Sequence, residues 1–389
     1  ESTIQRLVQA VRGSCRLLAL TGLTGTGKTA LSAQLAHQLW QPFTKQQIVW
    51  IESSEEIGFG RFASHLLGGS RLSESISLPQ LSTTEVVNQV VSQLVSQPTL
   101  VILDGLEAAL QGDEATGWST FKDPTWGEFL RQWLAADTPA GRIILTCQEF
   151  PAALETVGGR YVDRWHCEVV QGLTLPEQIQ LFAQAGLNTT HAENQGYLQR
   201  IGAVYEGHPL ALRVIAGEML GQPFLGNVAA YWRVYHREIE AMETLCREAD
   251  CQGPQDTLTI DRYTRHLKRV VQQRIEQTFD RLQQELPQAY RLLCFGSVYR
   301  RPVEERFWLK MLPPLGIEAD APASLLDALR DRYLVEDVLM HNKLCVRQHN
   351  LIRTVALHHL QAFPANGHVD APDAPRRSVA VGLCSLPGD

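Results

Sequence analysis

The sequence predicts an α/β protein: a parallel five-stranded sheet wrapped by helices, then a small helical bundle, then helices flanking a β-hairpin. Three observations carry this. Short apolar runs alternate with helix-period segments over the first 170 residues, the pattern of strands with crossover helices. A glycine-rich loop joins the first run to the first periodic helix. Strand signals stop near Leu173 and return only as two short runs around a polar turn at residues 341–342.

In chain order, Leu17 to Leu20 reads as a buried strand, and the helix after the glycine loop carries Leu31, Leu35 and Leu39 on one face. A second strand lies around Ile48 to Ile51, followed by a helix over about Phe59–Leu67 and a polar loop, GGSRLSESISLPQLSTT. Thr84 is placed to cap the helix EVVNQVVSQLVSQ, whose Val87, Val90, Val91, Leu94 and Val95 recur at helical spacing, and Pro98 ends it. Leu100 to Leu103 is the third strand and runs into Asp104. The Gly- and Trp-rich stretch QGDEATGWSTFKDPTWGEFLRQWL reads as an insert covering one face. Ile143 to Thr146 and CEVVQGL supply strands four and five. Thr174 then caps a helix with Pro176 in its first turn, and Pro209 starts another. CQGPQDTLTI, residues 251–260, reads as a linker. YLVEDVLMHNKLCVRQ gives two strand-like pieces between helices, which suggests a winged helix. The expected division is therefore 1–172 for the nucleotide-binding domain, 173–259 for the helical domain and 260–362 for the winged helix. Residues 363–389, rich in Pro, Gly and Asp, read as a disordered tail or one foreign to the fold.

A chain of 389 residues allows two to three domains, and 44% hydrophobic residues is ordinary for a soluble globular protein. No apolar run approaches the ~20 residues that cross a bilayer, and no signal peptide is visible. The start just before a helix suggests a piece of a longer protein. The eight cysteines are scattered without a C-x-x-C pair, which argues against zinc and for reduced thiols in a cytoplasmic protein. Net charge is −7 but uneven: residues 1–260 hold 17 Lys and Arg against 27 Asp and Glu, residues 261–362 hold 16 against 12. A domain change near 260 fits that shift. The positive balance of the last block fits a mixed solvated surface better than a nucleic-acid footprint.

The chemistry is concentrated in GLTGTGKT. Gly22, four residues, then Gly27, Lys28 and Thr29 give the full G-x-x-x-x-G-K-[ST] spacing between a strand and a helix. Gly22, Gly25 and Gly27 let backbone N–H groups of the loop, through Thr26 to Ala30, converge on one phosphate. The helix opening near Lys28 adds its positive end. Lys28 would reach the outer phosphates and Thr29 would hold Mg²⁺. Asp104, ending an apolar strand, fits the carboxylate that completes the Mg²⁺ site. Glu107 could polarise an attacking water or be a first-turn glutamate favoured by the helix dipole. Gln148, at the end of the next strand, could sense a γ-phosphate or open a surface loop. Pro209 in GHPLALRVIAG could pack near base or ribose or be a plain helix start. His349 could cap or fill a core, or donate to a phosphate oxygen across a domain interface.

Taken together and in order, GLTGTGKT, LVILDGLE, RIILTCQ, GLTLPEQIQLF, GHPLAL and RQHNLIR resemble the NB-ARC branch of the STAND ATPases, over about residues 1–362. The resemblance implies an α/β P-loop NTPase domain, a small helical domain and a winged-helix domain meeting on one adenine nucleotide. It implies a signal-transduction switch, ADP-bound and closed at rest, ATP-bound and oligomerising when activated, with ATP hydrolysis slow at most. By position, residues Gly22 to Thr29 bind phosphates and Mg²⁺, Asp104 is the Walker B acid, Pro209 touches the nucleotide and His349 holds the ADP β-phosphate. Two departures stand out: Gln148 where the family often has Arg, a neutral group that holds a γ-phosphate more weakly, and Gln348-His349-Asn350 where it has Met-His-Asp, with Asn350 able to cap a helix. The Gly-Arg that often precedes this core would lie before residue 1. The implied partners are the nucleotide, further copies of the chain, an upstream signal and flanking sensor or effector domains.

The competing reading is an AAA+-type ATPase or loader acting on nucleic acid through the winged helix. It wants vicinal acids after the third strand, where Asp104-Gly105 stands, and a basic recognition helix. The candidate, ASLLDALRDRYLVE, has two arginines against three acids. A metabolic kinase lacks a visible second substrate site.

Overall fold

The computed structural model describes residues 2–39, 48–52, 58–68, 82–113, 117–137, 139–148, 160–250, 258–312, 322–340 and 342–363. The first part contains α1 (Ser2–Arg12), β1 (Leu17–Thr21), α2 (Lys28–Leu39), β2 (Ile48–Glu52), α3 (Phe59–Leu67), α4 (Thr83–Ser96) and β3 (Leu100–Asp104). A 3-10 turn at Leu106–Ala109 leads to β4 (Leu110–Asp113), β5 (Gly117–Phe121), α5 (Thr125–Ala135), β6 (Arg142–Thr146) and β7 (Trp165–Val169). β2, β3, β6, β1 and β7 form one five-stranded sheet in that order, parallel throughout. Because side chains alternate across a strand, Leu18 and Leu20 pack towards Leu7, Val11, Leu35 and Leu39 of α1 and α2. Leu17 and Ala19 join the opposite core, made with α3, α4 and α5. The result is a three-layer α/β/α sandwich, with the loop after β1 beside the ends of β6 and β3.

The second part is helical: α6 (Leu175–Gln184), α7 (Ala192–Val204), α8 (Pro209–Leu220), α9 (Val228–Asp250), α10 (Leu258–Glu285) and α11 (Pro287–Gly296). Then come β8 (Val303–Glu304), α12 (Glu305–Leu309), α13 (Pro322–Asp331), β9 (Glu336–Met340), β10 (Lys343–Arg347) and α14 (Asn350–Ala362). β8, β10 and β9 form a small antiparallel sheet in that order. One hydrophobic cluster runs from Phe182 in α6 to Ala356 in α14 and also takes in Leu23 of the glycine loop. It crosses residues 259–260 without a break. α8 is its axis: every residue from Leu210 to Met219 except Arg213 is buried.

Four sequence expectations change. The supposed insert is a hairpin, β4–β5, followed by the regular core helix α5. Trp126, Phe129, Leu130, Trp133 and Leu134 of α5 are buried at helical spacing, and Trp126 packs on Phe62 with centroids 4.9 Å apart. Glycine and tryptophan content hid that period. The cap of α4 is Ser82, not Thr84. Ser82 Oγ accepts the Glu85 N–H at 3.3 Å and Glu85 accepts the Ser82 N–H at 2.7 Å, a reciprocal box. Of the supposed linker, Leu258 to Ile260 already belong to α10, and residues 251–257 lie outside the described residues. The cap of α14 is His349, with Asn350 the first helical residue. Most of the polar loop (69–81) and the tail from 364 also lie outside the described residues.

α8, α9 and α10 meet on a buried ion network. Glu218 accepts from Thr278 at 2.6 Å, Arg281 at 2.6 Å, Tyr231 at 3.1 Å and also from Arg274. Removing one partner of such a group leaves unpaired charge in low dielectric. Glu218→Ala is therefore expected to lower unfolding stability by about 3–5 kcal/mol, seen as a lower urea midpoint; an unchanged midpoint would contradict the network's role.

Candidate functional site at the glycine loop

The loop after β1 is shaped by three glycines with positive φ, at +136°, +95° and +98° for Gly22, Gly25 and Gly27. Gly22 has no room for a side chain either, since a Cβ would sit 2.7 Å from the Val170 carbonyl. The Gly22 N–H donates to the Gln148 carbonyl at 3.1 Å, which ties the loop to the end of β6. Thr26 turns inward, its hydroxyl donating to the Leu23 carbonyl at 2.9 Å. Lys28 opens α2 and donates to the carbonyls of Gly22 and Leu23, both at 2.8 Å. Burial lowers the Lys28 pKa, opposed by Glu107 and Asp104. Ala30, in the first turn of α2, is exposed.

Thr29 and Asp104 meet as the sequence predicts. The Thr29 hydroxyl donates to Asp104 Oδ1 at 3.0 Å. The residue that completes this group is Thr146, which donates to the same Oδ1 at 2.6 Å and accepts the Gly105 N–H at 2.8 Å. Two hydroxyls on one carboxylate oxygen fix its direction. Hard oxygen donors at this spacing suit Mg²⁺ shared with phosphate oxygens. Among the described residues no group of three or more His, Cys, Asp or Glu is placed to hold a metal.

Glu107 lies in the 3-10 turn after Asp104, with Oε2 buried and without a hydrogen-bond partner among the described residues. Burial raises its pKa, and the Gln148 side chain hydrogen-bonds to it. Gln148 thus serves two neighbours: its carbonyl holds Gly22 and its amide faces Glu107.

One histidine from later in the chain touches this loop, and a second lies within the field of Lys28. His208 caps α8 and is 1% exposed. Its Nδ1 accepts the Ala211 N–H at 3.3 Å, so Nε2 carries the proton and donates to the Thr24 carbonyl at 3.1 Å. Pro209, half-buried, follows it as the first helical residue. His349 caps α14 through the Leu351 N–H, 3.3 Å from Nδ1. That leaves Nε2 as the protonated nitrogen, with no hydrogen-bond partner among the described residues. The positive field of Lys28 acts on both rings. Burial is the main cause that lowers the pKa of His349, against the favourable charge of Glu336. Around them, Glu336 faces Arg213 of α8 at 3.8 Å and Arg347 of β10 at 3.3 Å, and Arg347 faces Glu52 at the end of β2 at 3.8 Å. Sequence reasoning missed Thr146 as the Asp104 partner, and it missed His208, Arg213, Arg347 and Glu336. Only His208 carried a local signal, standing between a glycine and the helix-opening proline.

A glycine loop between β1 and α2, a carboxylate at the end of β3, and this sheet order define a P-loop NTPase fold. No family model matches the chain. An uncharacterized WD repeat-containing protein, alr2800, of Nostoc sp. (strain PCC 7120) is 28% identical over 240 residues, covering 60% of this chain and 18% of that protein. The crystal structure of a Signal Transduction ATPase with Numerous Domains (STAND) protein with a tetratricopeptide repeat sensor, PH0952 from Pyrococcus horikoshii, matches with a TM-score of 0.56 at 16% identity. That match covers 91% of this chain and 42% of the other. Cdc6p from Pyrobaculum aerophilum matches at a TM-score of 0.38 and 15% identity, covering 92% of this chain and 94% of that one. The chain thus spans less than half the length of the STAND protein and under a fifth of the curated relative.

His208 makes this site sensitive to acid. Burial above all, with Lys28 and His349 nearby, pushes its pKa from 6.5 down to about 4, while the bond to Thr24 opposes the shift. The unfolded chain takes up that proton below about pH 6.5, the folded one only near 4. Stability from the neutral ring is complete above pH 6.5 and declines as pH falls towards 4. The urea midpoint is expected to drop between pH 7 and 5, and more shallowly in His208→Asn; equal slopes would contradict the assignment.

Proposed function

We propose that this chain is a nucleotide-operated signal-transduction switch of the STAND type, with an NB-ARC-like arrangement. ADP holds it closed, and exchange for ATP opens it for assembly with further copies. The observation that carries the reading is that His208 from the helical part holds the loop of Lys28, with His349 from the end of the chain within the field of Lys28. A site assembled from three segments can report its occupancy as a change of shape. We read 1–172 as the nucleotide-binding domain, 173–259 as the helical domain and 260–362 as a winged helix, which the β8–β10–β9 sheet with α12, α13 and α14 supports.

In this reading the N–H groups from Gly25 to Ala30 cradle the β-phosphate, and Lys28 swings from the Gly22 and Leu23 carbonyls to the β- and γ-phosphates. Thr29 and Asp104 would hold Mg²⁺, which would supply neutralisation of phosphate charge. His349 Nε2–H donates to the β-phosphate of ADP, and Pro209 borders the nucleoside. Glu107, with its free buried oxygen, and Gln148 position the water that attacks the γ-phosphorus. Glu107 takes its proton as the β–γ P–O bond breaks and ADP leaves. Burial raises the Glu107 pKa, the direction that makes a carboxylate a stronger base, while the neutral Gln148 leaves γ-phosphate charge uncompensated and keeps turnover slow. The partners are adenine nucleotide, the chain itself and an upstream signal, in the cytoplasm.

Denaturing the purified protein and chromatographing the released small molecules should yield stoichiometric ADP, and Lys28→Ala should release none. A nucleotide-free protein with rapid multiple-turnover hydrolysis and DNA binding would favour the loader reading. His349→Ala should weaken ADP about tenfold, the scale of a hydrogen bond to a charged group, while affecting ATP less. Equal effects on both nucleotides, measured by calorimetry, would remove His349 from the phosphate.

A further inference from the structure

We propose that His208 is the positioning residue through which helix α8 sets the nucleotide affinity of the glycine loop: by holding the Thr24 carbonyl outward, it aims the Gly25 N–H into the phosphate nest. This rests on the reading of the loop as a nucleotide site. In a trans peptide the carbonyl and the following N–H point in opposite directions. A donor on the Thr24 oxygen at 3.1 Å therefore fixes where the Gly25 N–H points. That N–H has no acceptor among the described residues. The approach is close enough to exclude any side chain at residue 25, since a Cβ there would lie 2.7 Å from His208 Cε1 and 3.1 Å from Leu210 Cβ.

The ring is suited to this task because its nitrogens have opposite roles. Nδ1 must accept from Ala211 while Nε2 donates to Thr24, so only the neutral Nε2–H tautomer satisfies both. A helix cap alone would not need the second contact, which serine or asparagine could not reach. The coupling runs both ways. If α8 docking strengthens nucleotide binding, nucleotide binding strengthens α8 docking by the same factor. Departure of α8 would free the Thr24–Gly25 peptide to rotate and speed release.

The test compares His208→Asn, which keeps a capping side chain but is too short for Thr24, with His208→Gln, which reaches far enough to donate. The readout is dissociation of a fluorescent N-methylanthraniloyl ADP with Mg²⁺ from the 389-residue protein, by stopped flow. Asn should speed dissociation about tenfold and Gln should return it to within about threefold of the parent, the scale of one hydrogen bond. Equal rates in all three proteins, or the same acceleration in both variants, would overturn the inference. If the parent fails to bind the probe at all, the nucleotide-site reading falls with it. Should the Asn variant not fold, amide exchange in the parent decides: ADP should slow exchange of the Ala211 N–H, and unchanged exchange there overturns the proposal.

Discussion

The structure depends on how the carbonyls of one loop are satisfied. A phosphate nest presents its N–H groups inward, which turns carbonyls outward into a crowded shell where each needs a donor. The carbonyls of Gly22 and Leu23 are met from within, by Lys28 and Thr26. The Thr24 carbonyl has its donor on a helix about 180 residues later. Gly22 is in turn anchored by the Gln148 carbonyl, two residues past β6. The local glycine motif sets the turn, and distant segments hold it.

α8 transmits that constraint. Its first turn rests on the loop, its middle presents Arg213 over the Tyr333 ring at 4.6 Å, and a Cβ on Gly217 would lie 2.6 Å from the Arg332 backbone. Its last turn carries Glu218 into the Arg274 and Arg281 network. Buried ion pairs of this kind contribute little net stability against an apolar alternative, because desolvation offsets the attraction. They do penalise any shift of α8 along α10, since a displaced Glu218 would strip Arg274 of its carboxylate and leave Arg281 with Glu238 alone. The helix that touches the loop is therefore locked in register at its far end.

Much of the sheet was legible because its signals are local. Apolar runs, the spacing from Gly22 to Thr29 and the position of Asp104 each follow from residues within one strand and its flanks. The helix α5 was misread because its glycine and tryptophans resemble loop composition, although Trp126, Phe129 and Trp133 keep helical spacing. His349 was singled out only through its resemblance to a known motif; nothing in its sequence neighbours announces the field of Lys28. His208, Thr146 and the Arg213–Glu336–Arg347 chain were not legible, because each acquires its role from a partner brought in by the fold. Thr146 differs from any strand-end threonine only by lying beside β3. The fold's own neighbours are informative about architecture alone at 16% identity.

The contacts also rank the seams of the molecule. From α6 to α14 one hydrophobic cluster is continuous, and separating its halves would expose many large side chains at roughly 25 cal/mol per Å². Between the sheet and the rest, among the described residues, the hydrophobic cluster takes in Leu23, Leu210 packs against Gly25, and His208 on Thr24 and Arg347 facing Glu52 at 3.8 Å add polar contacts. A partly exposed ion pair at that distance contributes about 0–1 kcal/mol. The weaker seam therefore runs along the glycine loop, where Lys28 lies. A ligand bridging Lys28, Thr29 and His349 would therefore act on the interface with the least stabilisation of its own.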